Sequence, residues 1–191
     1  MRKIIVVTSV SLDGYMEGPD RDISWHRVDE ELHTHFNGLL GAMSMFLDGR
    51  RNHDVMAGAW PAIAEDPQAE PTMAAFARIW LDMPKIVFSR TVADAGWNTT
   101  VRREVDPEEI RALKAQPGGD MVVGGAQLAD TFRRLDLIDE YRIYVHPVLV
   151  GAGTPYFKPG DSLASLELLE TRTFGNGVVL LRYAAAEDTS A

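Results

Sequence analysis

The chain contains no cysteine. Disulfides, thiolate nucleophiles and cysteine-ligated metals are therefore excluded from the start. It also lacks an excess of positive charge: 19 Lys and Arg face 28 Asp and Glu, a formal net charge of −9. Nucleic acid and anionic membrane surfaces are poor partners for such a chain, although a local basic pocket can still hold a phosphate. No stretch approaches the roughly 20 apolar residues of a membrane span. The apolar run behind Met1-Arg2-Lys3 breaks at Thr8 and Ser9, so it reads as a first strand and not a signal peptide, and a cytoplasmic protein is expected. Internal repeats and interdomain linkers are missing as well. Residues 1–185 are expected to form one domain, and residues 186–191 a disordered tail. Histidines are few and badly spaced for a metal: His33 and His35 would face different directions on a helix, and His26, His53 and His146 stand apart. No metal is expected.

What the chain does have is a short apolar run, Met121-Val122-Val123, leading straight into Gly124-Gly125 and then an amphipathic segment. Leu128, Phe132 and Leu135 recur at i, i+4, i+7, one face of a helix. Two glycines at a strand-to-helix junction allow a sharp turn and close backbone approach. The free N–H groups and dipole of the helix start then favour an anion. A plain tight turn is the competing reading for an isolated Gly-Gly pair.

The remaining elements follow from periodicity and punctuation. Strands are expected over residues 3–10, 43–47, 85–88 and 140–145, with a weaker one at 99–102. Helices are expected over 28–41, 53–56 and 73–81, and residues 57–72, rich in Ala, Pro, Asp and Glu, read as a surface connection. Asp106-Pro107-Glu108-Glu109 supplies a cap acceptor, Pro at N1 and Glu at N3, a strong helix start. Gly175-Asn176-Gly177 separates two apolar runs as a hairpin turn does. Alternating strands and helices followed by a hairpin define an α/β layer fold, largely parallel, with antiparallel strands at one edge.

Three strand ends carry groups suited to phosphate: Gly49-Arg50-Arg51-Asn52, Ser89-Arg90-Thr91 and Gly124-Gly125-Ala126-Gln127. Ligands of open α/β sheets sit beyond the carboxyl ends of the strands, and three such ends on one crevice suit a dinucleotide better than a lone phosphate. Arginine beside a hydroxyl suits a phosphate monoester through its bidentate fork. An ordinary Rossmann domain is disfavoured, because no G-x-G-x-x-G follows the first strand.

The sequence resembles the dihydrofolate reductase-like family, in particular the branch that holds the reductase domain of bacterial riboflavin biosynthesis. The resemblance rests on Ser11-Leu12-Asp13-Gly14, Leu47-Asp48-Gly49-Arg50-Arg51, Ser89-Arg90-Thr91, Val123-Gly124-Gly125-Ala126-Gln127-Leu128, Leu137-Ile138-Asp139-Glu140-Tyr141 and Pro147-Val148-Leu149-Val150-Gly151-Ala152-Gly153. It spans residues 2–183 and implies a three-layer αβα fold, NADPH as hydride donor, a small-molecule substrate and a homodimer. By that resemblance Gly49, Arg50, Arg51 and Asn52, with Gly124, Gly125, Ala126, Gln127 and Leu128, would hold the pyrophosphate. Ser89 and Arg90, with Arg50, would meet the ribose 2′-phosphate, and Thr91 would belong to the same cofactor site. Tyr15 and Val123 stand where riboflavin-pathway members usually carry Lys and Glu, which points to a different substrate. A sheet edge or face bearing Tyr141, Ile143 and Val145 is expected to need a partner's cover.

Hydride reduction of a C=N or C=O bond leaves a heteroatom that must take a proton. The first loop and helix offer Asp13, Tyr15, Asp29, Glu30, Glu31, His33 and His35. Asp13 is favoured by its loop position, and His33 and His35 are the alternative acids. A non-catalytic nucleotide- or flavin-binding module on the same fold is the competing functional class.

Overall fold

A computed structural model describes residues 1–158 and 163–186. Of the expected tail, residues 187–191 fall outside the described residues. Strands β1 (Ile4–Ser11), β3 (Met45–Gly49), β4 (Lys85–Phe88), β5 (Thr99–Arg102), β6 (Met121–Gly124) and β7 (Glu140–His146) lie parallel in one sheet. They are completed by β9 (Leu166–Thr173) and β10 (Val179–Ala185), in the order β5-β4-β3-β6-β1-β7-β10-β9. The last two are antiparallel. Their hairpin closes at the expected Asn-Gly turn, with Gly177 at φ +85°. The fold is the three-layer α/β architecture that the sequence implies.

Period-2 alternation in the central strands feeds two cores. Ile4, Val6, Leu47, Met121, Val123 and Ile143 face helices α4 (Pro107–Ala115) and α5 (Ala126–Arg134), which bury Ile110, Leu128 and Phe132 on them. Phe46, Val122 and Tyr144 face the other way, toward α1 (Glu30–Gly41), α2 (Arg50–Glu65) and α3 (Pro71–Asp82). Each such side chain, fully buried, contributes roughly 1.5–3 kcal/mol. Caps fix two helix starts: Asp29 accepts the Leu32 N–H at 2.9 Å and Asp106 that of Glu108 at 2.9 Å.

Three expectations need correction. Helix α2 runs sixteen residues, through most of the stretch read as a surface connection and past an internal Pro61. Met56 and Trp60 explain this: both pack against the Phe76–Trp80 side of α3, and tertiary burial outweighs the local cost of proline. A small second sheet pairs β2 (Tyr15–Glu17), within the stretch read as the first loop, with β8 (Thr154–Pro155). Finally, Tyr141 and Ile143 are buried by their own chain, at 7% and 8% exposure, so that face needs no partner. The uncovered apolar edge is β9, where Leu166, Leu168 and Leu169 stay 43–53% exposed.

Candidate functional site

The direction of the chain's crossovers reverses between β1 and β6. Their ladder holds three pairs and stops at Val6↔Val123, whereas β1 and β7 stay paired for seven, to Ser11↔His146. From the ends of these two strands the chain leaves toward opposite faces, α1 on one and α5 on the other. That is a topological switch point, the place where open α/β sheets bind ligands.

The three expected junctions stand side by side here, because β4, β3 and β6 are sheet neighbours. Gly49 pairs with Phe88, and Asp48 with Gly124. Gly49 caps α2 and Gly125 caps α5, and neither helix has a side-chain cap, so the first N–H groups of both remain available. A Cβ built on Gly49 would lie 3.6 Å from Leu128 Cβ, which shows how closely the two helix starts meet. Gly125 has φ +87°, a conformation that suits glycine. Around this double N-terminus Arg50, Arg51 and Arg90 are exposed. Among the described residues Arg50 makes a 3.6 Å ion pair to Asp54, with both side chains about half exposed. Ser89 is buried and its Oγ accepts the N–H groups of Thr91 and Val92 at 3.2 and 3.1 Å, folding the loop back on itself. Ala126 and Leu128 are buried in the core, so they can present only backbone to a ligand, while Gln127 is exposed.

The candidate acids are not brought together. Asp13 is a structural group: its Oδ1 accepts from Ser11 Oγ at 2.6 Å and Val150 N at 3.1 Å, and its Oδ2 from Gly151 N at 2.7 Å. The Ser11 hydroxyl, with these backbone N–H groups, holds its carboxyl down at about 2, so it has no proton to give at neutral pH. His33 turns toward Phe76 of α3, and burial lowers its pKa. His35 turns to the other side, its Nε2 2.8 Å from the Tyr144 hydroxyl and its Nδ1 3.4 Å from Arg172. Burial, then the Arg172 and Arg142 charges, lower its pKa too.

Two groups escaped the sequence reading. Asp48, the last side chain of β3 before Gly49, is 3% exposed, and Asn52 Nδ2 donates to its Oδ1 at 2.8 Å. Burial pushes its carboxyl up to about 6. A Cβ on Gly124 would collide with that oxygen and come within 2.6 Å of Asn52 Nδ2, so the pair fills the space beneath the Gly-Gly turn. The available signal was a charged residue closing an apolar strand. The second group is Trp25, His26 and His146: the imidazoles stack at 5.1 Å and Trp25 packs edge-on against both. His146 Nδ1 accepts the Arg27 N–H at 3.0 Å, and burial pushes its pKa down to about 4. Nothing in the spacing of these residues announced the cluster.

The protein is thus an α/β fold with two helix N-termini lacking side-chain caps, side by side at one end of the sheet. The RibD C-terminal domain family model matches residues 2–180, and the chain belongs to that family. It is 34% identical over 183 residues to the uncharacterized protein YyaP of Bacillus subtilis (strain 168), covering 95% of this chain and 94% of that one. Among solved structures it matches a putative riboflavin biosynthesis protein from Shewanella sp. PV-4 at a TM-score of 0.76 and 20% identity, over 98% of this chain and all of the other. It also matches the Thermotoga maritima diaminohydroxyphosphoribosylaminopyrimidine deaminase/5-amino-6-(5-phosphoribosylamino)uracil reductase, at a TM-score of 0.64 and 13% identity, over 97% of this chain and 57% of that one. These structural likenesses concern the fold. Among the described residues no helix is long and apolar enough to cross a membrane, and no three His, Asp or Glu side chains gather as metal ligands.

Proposed function

We propose that the protein is an NADPH-dependent reductase of a small heteroaromatic or carbonyl substrate. One observation carries the reading: two helices without side-chain caps, α2 and α5, begin side by side at the ends of the neighbouring strands β3 and β6, near the exposed Arg50, Arg51 and Arg90. Backbone N–H groups from Gly49 to Asn52 and from Gly125 to Leu128 hold the pyrophosphate. Arg90, with Ser89, Thr91 and Arg50, receives the 2′-phosphate. When bound, the cofactor supplies the hydride. The protein's part is to orient it across the ends of β1 and β6 and to exclude water from the reacting face.

The substrate is not the ribosylaminopyrimidine of riboflavin synthesis. Tyr15, in place of the usual Lys, makes only a long 3.5 Å contact to the Gly151 carbonyl, and Val123, in place of the usual Glu, is 1% exposed in the core. Neither replaces the charged groups with which riboflavin-pathway members handle their ribosyl and pyrimidine substrate. A homodimer through the apolar β9 edge goes with this reading; light scattering at micromolar concentration should give twice 21.1 kDa.

A second reading, a nucleotide-binding module without turnover, is favoured by the engagement of all three candidate acids elsewhere. Loss of reduced-nicotinamide absorbance with a panel of pteridines, pyrimidines and quinones separates the two. Turnover of at least one establishes the enzyme. Tight NADPH binding with no turnover of any establishes the module.

A further inference from the structure

The Asp48–Asn52 pair lies under the one junction where both helix starts and the glycine turn meet. Its oxygen and amide occupy the volume that any side chain at Gly124 would take. A carboxylate there stands behind a surface shaped for an anion, and its negative charge opposes that anion. Neutral, the same carboxyl still accepts the Asn52 amide and leaves the helix N–H groups unopposed. We propose that Asp48 is a proton-loaded positioning residue: it is protonated when a pyrophosphate occupies the cradle, so cofactor binding takes up a proton. This rests on the cofactor reading above and adds a linkage which that reading does not require.

The surroundings allow it. From α2, Asp48 meets the Asn52 amide, and more distantly His53, whose Nε2 lies 3.0 Å from the Ala95 carbonyl. From β4 the charged group is Lys85, its Nζ donating to the Met83 and Trp97 carbonyls at 2.7 and 2.9 Å. From β6 only the Gly124 backbone faces it, and α5 contributes Leu128 against Gly49. Arg50 and Arg51 stand on the exposed side of α2. The Asn52 amide first, then His53 and Lys85, favour the ionised form, but burial outweighs all three and pushes the carboxyl up to about 6. An arriving anion adds a like charge and raises it further.

The test is calorimetric titration of NADH and NADPH from about pH 5.5 to 8, with the unmodified chain and Asp48→Asn, the neutral isostere. NADH is the cleaner probe, since its pyrophosphate keeps one charge state across that range. For the unmodified chain, affinity should fall by about tenfold per pH unit above 6, as linkage to one proton requires. Asp48→Asn should bind with a flat profile and more tightly at pH 8. Equal profiles in the two proteins overturn the proposal while leaving the cofactor reading intact. No binding of either nucleotide at any pH removes both. Should Asp48→Asn not fold, the unmodified chain decides alone: titration at pH 7 in buffers of different ionisation enthalpy should show uptake approaching one proton per NADH, and zero uptake overturns the proposal.

Discussion

Asp13 accepts the Gly151 N–H at 2.7 Å and thereby ties the end of β1 to the segment that follows β7. Asp13→Ala should therefore loosen residues 147–153, seen as faster proteolysis there, while leaving the pH profile of turnover unchanged. The sign of its pH effect is fixed by a folded pKa near 2, below the ordinary 3.8. Its stabilisation is present above 3.8 and lost as pH falls through 2. The melting difference between Asp13→Asn and the unmodified chain should close in strong acid. Abolished turnover with an unchanged loop would restore Asp13 as the acid.

Asp48 behaves in the opposite sense. Its folded pKa of about 6 lies above 3.8, so folding carries no ionisation cost below 3.8, a growing one from there to 6, and a constant one above. A shift of two units corresponds to about 3 kcal/mol. Asp48→Asn should match the unmodified protein near pH 3.5 and melt several degrees higher at pH 8. Equal melting points at pH 8 would contradict the burial cost.

Gly124→Ala places a methyl group against Asp48 Oδ1 and Asn52 Nδ2. Overpacking of this kind costs roughly 1–3 kcal/mol, or about 2–4 °C per kcal/mol in a domain of this size. Adding Asp48→Gly should return part of it, because the residues share one space, and a coupling above about 0.5 kcal/mol is expected. Strict additivity in the double-mutant cycle would mean that the turn relaxes away from the pair.

Much of this was legible in the chain. Repeated apolar runs, the Asp106-Pro107 helix start and the Asn-Gly hairpin located most elements, and the glycine and arginine junctions fall at the neighbouring ends of β4, β3 and β6. The reach of α2 was not, because its stability comes from Met56 and Trp60 packing on α3, contacts that no local pattern encodes. The partners of Asp13 were hidden for a related reason: Val150 and Gly151 lie 137 and 138 residues away. Asp48 was hidden by its neighbours, since a carboxylate at a strand end is ordinary until Gly124 is seen to need its space.

The central claim is a cradle built for a 2′-phosphorylated dinucleotide, and calorimetric titration of the unmodified chain and Arg90→Ala with NADPH and NADH tests it most directly. A charge-assisted contact to the 2′-phosphate is worth roughly 1.5–3 kcal/mol, or about 10- to 100-fold in affinity. NADPH should bind the unmodified chain tighter than NADH by that factor, and Arg90→Ala should lose the preference with little change for NADH. Equal affinities in the unmodified chain would contradict the 2′-phosphate assignment, and no binding of either nucleotide would contradict the account as a whole.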